Sequence, residues 1–274
     1  MRRLADDPRV AALAPDLNWD FPLRLLAGLH YLVLGGEASW DDALDTRADW
    51  LRRFAATQPV QTNEVQRAWA LLPGLLSVGA PRVDLLELGT AGGLLLGLDR
   101  YAYRYRAGVW GDGPLVLGGD DRGGPPASVL SRPLEVVRRR GIDRRPVDVT
   151  TDEGARLLQA FVWPGESDRA ERLQAAIELA RGRPPELIAG DYLELLPSLL
   201  ADRQEAATLV VMSSVTAVYL DREQRARLAD LLAGVHWLSL DHVDRDYDGL
   251  RLTLDGRTLA EHVDPHATWF EWVA

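Results

Sequence analysis

The sequence predicts an α/β fold: a doubly wound sheet preceded by a helical region. Three observations predict it. From residue 83 onward, short apolar runs alternate with helical segments, the order of a βαβ series. Several of these runs end in glycine or an acid, as at Leu88-Gly89, Ile142-Asp143 and Ala189-Gly190-Asp191. Residues 1–80 instead carry apolar side chains at helical spacing. The chain is therefore divided into a helical region, 1–80, read as a cap over a site, and a domain, 81–274, with an insert at 99–134.

In the first region Leu23, Leu25, Leu26, Leu29, Leu32 and Val33 recur at near-helical spacing, and Gly35-Gly36 stops the run. A second helix is predicted over 41–56, with Trp40, Leu44, Trp50, Leu51 and Phe54 apolar. A third begins near Gln61 and carries Val65, Ala68, Trp69, Leu71 and Leu72 ahead of Pro73-Gly74. Residues 83–88 are apolar and bounded by Pro81 and Gly89, which predicts a buried strand, and a helix starts at Leu94. Tyr101, Tyr103 and Tyr105 alternate with other residues, and Gly111-Asp112-Gly113 precedes Leu115-Val116-Leu117, which predicts an inserted hairpin. Strands follow over 134–142, 187–189, 208–212 and 235–240. The helices between and beside them cover 152–161, 166–181, 192–200 and 222–233. The runs 250–254 and 268–273 are predicted to end the sheet as an antiparallel pair.

Composition narrows the chemistry. The 274 residues are 47% hydrophobic and 26% charged, ordinary for a folded domain large enough to need no disulfide or metal. Cysteine is absent, which excludes thiol nucleophiles, thiolate zinc sites and iron–sulfur clusters. All 31 basic residues are arginine, which excludes a lysine Schiff base, a P-loop lysine and a lysine general base. A net charge of −10 argues against a nucleic-acid surface, and the runs Arg138-Arg139-Arg140 and Arg144-Arg145 read as solvated element ends. No apolar run approaches the ~20 residues that cross a bilayer. The start turns acidic at Asp6-Asp7 without an apolar signal core, so a cytoplasmic protein without a membrane partner is expected.

Gly89-Thr90-Ala91-Gly92-Gly93 is the most informative stretch. A glycine-rich turn between strand and helix brings backbone close to a ligand and aims N–H groups at its negative end. The dinucleotide pattern G-x-G-x-x-G fails, because Ala91 and Leu94 stand at its second and third glycines. The looser pattern acid-x-G-x-(G/A)-x-G fits Glu87, Gly89, Ala91 and Gly93. It resembles the first motif of S-adenosylmethionine-dependent methyltransferases. The resemblance implies a loop wrapped around the methionine and ribose of that cofactor, ribose binding by Asp143 and an adenine-side role for Asp191. Read from the residues alone, the loop is also a tight turn without a ligand, and Asp191 is also a helix cap.

A second set of residues is more specific: Gln61-Thr62-Asn63-Glu64-Val65 with Arg67, Glu87-Leu88-Gly89 to Gly93-Leu94, and Leu98-Asp99-Arg100-Tyr101. Arg140-Gly141-Ile142-Asp143, Val162-Trp163-Pro164, Gly190-Asp191 and Tyr219 extend it. From about residue 20 onward the chain resembles a bacterial family known as domain of unknown function 2332. The resemblance implies a methyltransferase-like fold and no particular reaction. Two departures stand out: Leu95 where that pattern has asparagine, and Ser213 where it has histidine. They imply a different substrate or a degenerate site.

Outside the glycine loop, Gln61, Asn63 and Glu64 are the candidate site residues, placed at a helix start where they either face a cleft or serve as the helix entry. Asp99, Arg100 and Tyr101 are candidates for substrate binding or for an ion pair closing the insert, and Ser213 is a further substrate candidate. Glu64 or His266, the latter after Pro265, is the candidate general base, with Asn63 as a third catalytic candidate. No histidines stand at metal spacing and no metal is expected. Asp244-x-Asp246-x-Asp248-Gly249 matches half a calcium loop but is flanked by strands, so a hairpin turn is expected.

Three functional readings follow. The first and favoured one is a small-molecule methyltransferase using S-adenosylmethionine. The second is a group transferase with another adenosine-containing donor, such as a sulfo donor, whose phosphates would need Arg100, Arg139 or Arg140. The third is a non-catalytic subunit that kept the fold, bound to a protein partner or to a second copy, with Trp19, Trp40, Trp50 and Trp69 as interface candidates.

Overall fold

The computed structural model describes residues 7–13, 20–242 and 249–274. The chain is a mixed α/β protein in two compact units: Met1–Asn63 with Val147–Ile177, and Glu64–Pro146 with Glu178–Ala274. The division falls at residue 63, ahead of the compositional change at 80, and residues 147–177 join the first unit. Trp19 and the Asp244–Asp248 stretch lie outside the described residues.

The first unit is helical. Its helices are Pro8–Leu13, Phe21–Leu34, Trp40–Thr46, Ala48–Thr57 and Asp152–Ala160; Ser167–Gly182 begins in it and crosses the division. The single helix expected over 41–56 is two, broken at Arg47, whose φ of −121° leaves the helical region. Phe21, Leu25, Leu29 and Leu32, spaced to lie on one face of the second helix, form the core with Leu44 and Leu51 of the next two. Arg156 lies over the Tyr31 ring at 3.9 Å and donates to its hydroxyl at 2.7 Å, tying the late helix to the second one.

The second unit carries the sheets. Its strands are β1 (Arg82–Leu88), β2 (Ala102–Tyr105), β3 (Gly108–Trp110), β4 (Val116–Gly118), β5 (Asp120–Arg122), β6 (Glu135–Asp143), β7 (Glu186–Ala189), β8 (Thr208–Ser214), β9 (His236–His242), β10 (Leu250–Leu254), β11 (Arg257–Val263) and β12 (Trp269–Trp272). Nine form one mixed sheet in the order β5-β12-β11-β10-β9-β8-β1-β6-β7. From β9 to β7 all neighbours are parallel; β9 to β12 run as an antiparallel meander; β5 is parallel to β12. β1 is buried along nearly all its length, as expected of a strand covered on both faces. Leu86, Leu88, Ile142 and Val211 pack on one face against Leu193, Leu196 and Leu228 of the helices Tyr192–Ala201 and Arg222–Leu231. The helix Arg67–Ser77 packs against β9 and β10.

Four expectations are corrected. The runs 250–254 and 268–273 do not pair, because β11 stands between them. Asp255-Gly256, at φ 53° and 79°, joins β10 to β11 with Leu254 opposite Arg257, the two-residue turn that a D-G dipeptide favours. The insert is a three-stranded sheet, β3-β2-β4: its hairpin joins β2 to β3, while β4 lies parallel to β2. The element after the glycine loop is a seven-residue 3-10 helix, Leu94–Arg100. The run 138–140 is not a solvated end either: Arg140 is 1% exposed, and Arg138 and Arg140 both bind the buried Asp84.

Two helices pass through an internal proline, Pro73 and Pro197. Proline cannot donate to the carbonyl four residues back, which leaves Trp69 O and Leu193 O orphaned. Tyr105 donates its hydroxyl to Trp69 O at 2.7 Å, and Arg227 donates to Leu193 O at 3.2 Å. The helix expected to stop at Pro73 therefore continues to Ser77.

Candidate functional site

In register, Leu88 lies beside Ile142 and Ser213, Ser213 beside Ser239, and His242 and Val263 both beside Leu250. The carboxyl ends of β1, β6, β8, β9 and β11 thus lie along one edge. This edge gathers most of the acids and turns singled out in the sequence.

The glycine loop is locked from within. Gly89 N and Thr90 N donate to Ile142 O, Gly93 N to Thr90 O, and Ala91 N to Asp143 Oδ2 at 3.0 Å. Gly89 has φ 68°, and a Cβ there would stand 2.9 Å from Thr216 Oγ1, so glycine is required by both conformation and space. Ala91 also holds a positive φ, 49°. Thr90 donates its hydroxyl to Glu87 Oε2 at 2.6 Å, and Glu87 is 3% exposed.

Burial pushes the Glu87 carboxyl up to about 8, against the opposing hydrogen bond from Thr90. The folded chain then holds a proton through the window from 4.5 to about 8 that the unfolded chain has lost. Glu87 therefore makes stability fall as pH rises across that window, by about 1.4 kcal/mol per unit. Glu87→Gln, which keeps an acceptor for Thr90, is expected to flatten this slope in denaturation curves taken from pH 5 to 8. An unchanged slope would show that Glu87 ionises in its ordinary range.

The other acids are engaged in different ways. Asp143 accepts from Ala91 N and Arg145 N, one bond on each oxygen, and a carboxylate has about four acceptor positions. Asp191 caps the helix Tyr192–Ala201 by accepting from Leu193 N at 2.9 Å, and it pairs with Arg144 at 2.7 Å. Ser213 is 1% exposed and bonded to Asp241 and Trp237. Asp241 accepts from Thr216 N, Ala217 N, Ser213 and Ser239, and burial pushes its carboxyl up. Asp241 was not among the residues singled out in the sequence; its signal is an acid next to the end of a strand that carries Leu238 and Leu240 at alternate positions.

Glu64 and His266, 202 residues apart, meet at the same edge: His266 Nδ1 lies 2.9 Å from Glu64 Oε2. Glu64 is 3% exposed; the His266 side chain is 46% exposed, and its Nε2 has no hydrogen-bond partner among the described residues. Around them, Gln66 N donates to Glu64 Oε1, Gln66 Nε2 to Ala267 O, and Arg67 Nε to Pro265 O. Asp264 Oδ2 accepts from His266 N, Thr268 N and Thr268 Oγ1, which fixes the turn. Such a pair holds one imidazole nitrogen and presents the other to solvent, the arrangement of a proton acceptor. Asp264 and Gln66, which build it, were not singled out; Asp264-Pro265 is the turn signal that marks the first.

The remaining candidates lie elsewhere. Gln61 and Asn63 belong to the first unit, and Glu64 opens the second. None starts a helix, because the helix begins at Arg67 with Gln66 as its cap residue. Asp99 pairs with Arg139, Arg100 donates to Arg183 O, and Tyr101 is 2% exposed with its hydroxyl on Leu94 O. No group of three or more metal-binding side chains occurs among the described residues. No helix among them is long and apolar enough to cross a membrane.

Fold and edge together define a mixed α/β protein with a locked glycine turn and a carboxylate–histidine pair on one sheet edge. The family described as an uncharacterized protein conserved in bacteria, domain of unknown function 2332, matches residues 37–272, and the chain belongs to it. No curated protein and no solved structure matches the chain.

Proposed function

We propose that the chain is a small-molecule methyltransferase with a doubly wound, Rossmann-like sheet that uses S-adenosylmethionine in the cytoplasm. The observation that carries the reading is the glycine turn at the carboxyl end of β1, where the parallel order reverses between β6 on one side and β8 on the other. Ligands of open α/β sheets sit at such switch points.

The residues present suit a cationic, hydroxyl-rich donor better than a polyanion. Four amides of the loop, those of Gly89, Thr90, Ala91 and Gly93, are committed within the protein, so they form no nest for phosphate. The edge instead offers carboxylates. Asp143 keeps acceptor positions for ribose hydroxyls, and Asp191 lies one strand further out, beyond β7. These acids lie on the β6–β7 side of β1. The transferable group would then face β8 and β9, toward the Glu64–His266 pair.

When bound, the cofactor supplies an electrophilic methyl group. The protein's part is alignment, because proximity and orientation carry most of such a transfer. His266 Nε2 takes the proton that leaves the acceptor. Glu64 holds the ring by Nδ1 and stabilises the imidazolium that results.

The test is calorimetric titration of the full chain with S-adenosylmethionine, S-adenosylhomocysteine and adenosine 5′-phosphosulfate. Dissociation constants of about micromolar size for the first two are expected, near −8 kcal/mol. Binding of the phosphosulfate alone, or of none of them, would overturn the reading.

A further inference from the structure

Three arginines converge on one small cavity away from the sheet edge. Arg100 ends the 3-10 helix, Arg139 lies mid-way along β6 and Arg183 follows the helix Ser167–Gly182. With Gly93, Gly97 and Pro185 they line a space of about 10 Å³. That volume admits one water-sized group.

The charges there do not balance. Asp99 is the carboxylate that answers the cluster; it pairs with Arg139, and its Oδ1 is buried without a hydrogen-bond partner. Arg100 donates Nη1 to Arg183 O at 2.8 Å, while its buried Nε has no partner. Arg183 has no carboxylate partner among the described residues. Burial first, and then repulsion by Arg139, holds the Arg100 guanidinium below its ordinary range, with Arg183 adding to the effect. Capping of the helix end explains one bond of Arg100, and Arg139 donates to Leu96 O, Val136 O and Asp99; Arg100 Nε and the excess charge of Arg100 and Arg183 stay unexplained.

We propose that Arg100, Arg139 and Arg183 form an oxyanion seat for one phosphoryl or sulfuryl group. Guanidinium forks match the oxygens of such groups, and charge-assisted bonds to them are the strong kind. One terminal oxygen fills the cavity, and the rest of the group stays at the mouth beside the exposed Arg183. The seat adjoins the exit of the glycine loop through Gly93 but does not depend on the methyltransferase reading.

Inorganic phosphate and inorganic sulfate, titrated into the full chain at constant ionic strength with chloride as control, test it. Saturable binding of one or both is expected, the tighter of the two naming the group. Arg183→Gln removes an exposed side chain and is expected to weaken binding about tenfold with the anion-free melting temperature retained. Arg100→Gln provides the second variant and is expected to weaken binding similarly. A response no different from chloride, or full affinity in both variants, would overturn the proposal.

Discussion

Replacing Asp84 by alanine is expected to lower the unfolding free energy by about 3–5 kcal/mol, the usual loss when one partner of a buried ion pair is removed. Asp84 is wholly buried and binds Arg138 at 2.6 Å and Arg140 at 3.1 Å. Arg140 is itself 1% exposed, and its remaining carboxylate is Asp202 at 3.3 Å, which is 63% exposed. Without Asp84 a guanidinium stays inside the sheet with half its counter-charge. Asp84→Asn keeps acceptor geometry but not charge and should fall between the two. Urea denaturation of the three proteins checks the order. A loss below about 1 kcal/mol for the alanine variant would mean that Asp202 and water neutralise the pair, as at a surface bridge.

If the chain is the methyltransferase proposed above, His266→Ala is expected to slow methyl transfer by about 10²–10⁴-fold, the range for loss of a positioned proton acceptor. S-adenosylhomocysteine affinity should not change, because the histidine lies on the β11 side of the edge and the cofactor-side acids lie on the other. The His266 ring is nearly half exposed, so the variant should fold. The readout is product formation with the acceptor, split into kcat and KM, beside a cofactor titration. Equal rates for variant and wild type would remove His266 from the chemistry. A parallel loss of cofactor affinity would instead assign it a binding role.

The strands were the most legible part of the sequence. β1, β6, β7, β8 and β9 fall within about two residues of their expected spans; for β1 and β8 the reason is that a strand buried on both faces is continuously apolar and ends where the chain turns. What failed depended on partners far away in sequence. Nothing near Pro73 shows that a tyrosine 32 residues later will satisfy the carbonyl it orphans. Nothing in Arg138-Arg139-Arg140 shows that an acid in another strand waits for two of the three. The Tyr101, Tyr103 and Tyr105 alternation gave a strand correctly but not its neighbours, since pairing is chosen by packing and not by period. At the candidate site, Glu64 and His266 were each visible as residues able to move a proton. Their meeting was not, because a pair 202 residues apart is made by the meander, whose D-G turn was missed.

The edge strand β5 has one neighbour in its sheet, β12, about 150 residues further along the chain. During synthesis residues 120–122 leave the ribosome long before 269–272, at about 5–20 residues per second. For that interval β5 has no strand to join, and the turn carrying His266 has not been made. The border of the nine-stranded sheet and the Glu64–His266 pair are therefore the last parts of the second unit to be completed, once the turn at 264–268 and β12 have emerged. A nascent chain stalled before β12 would hold the parallel strands but neither the finished border of the sheet nor the histidine.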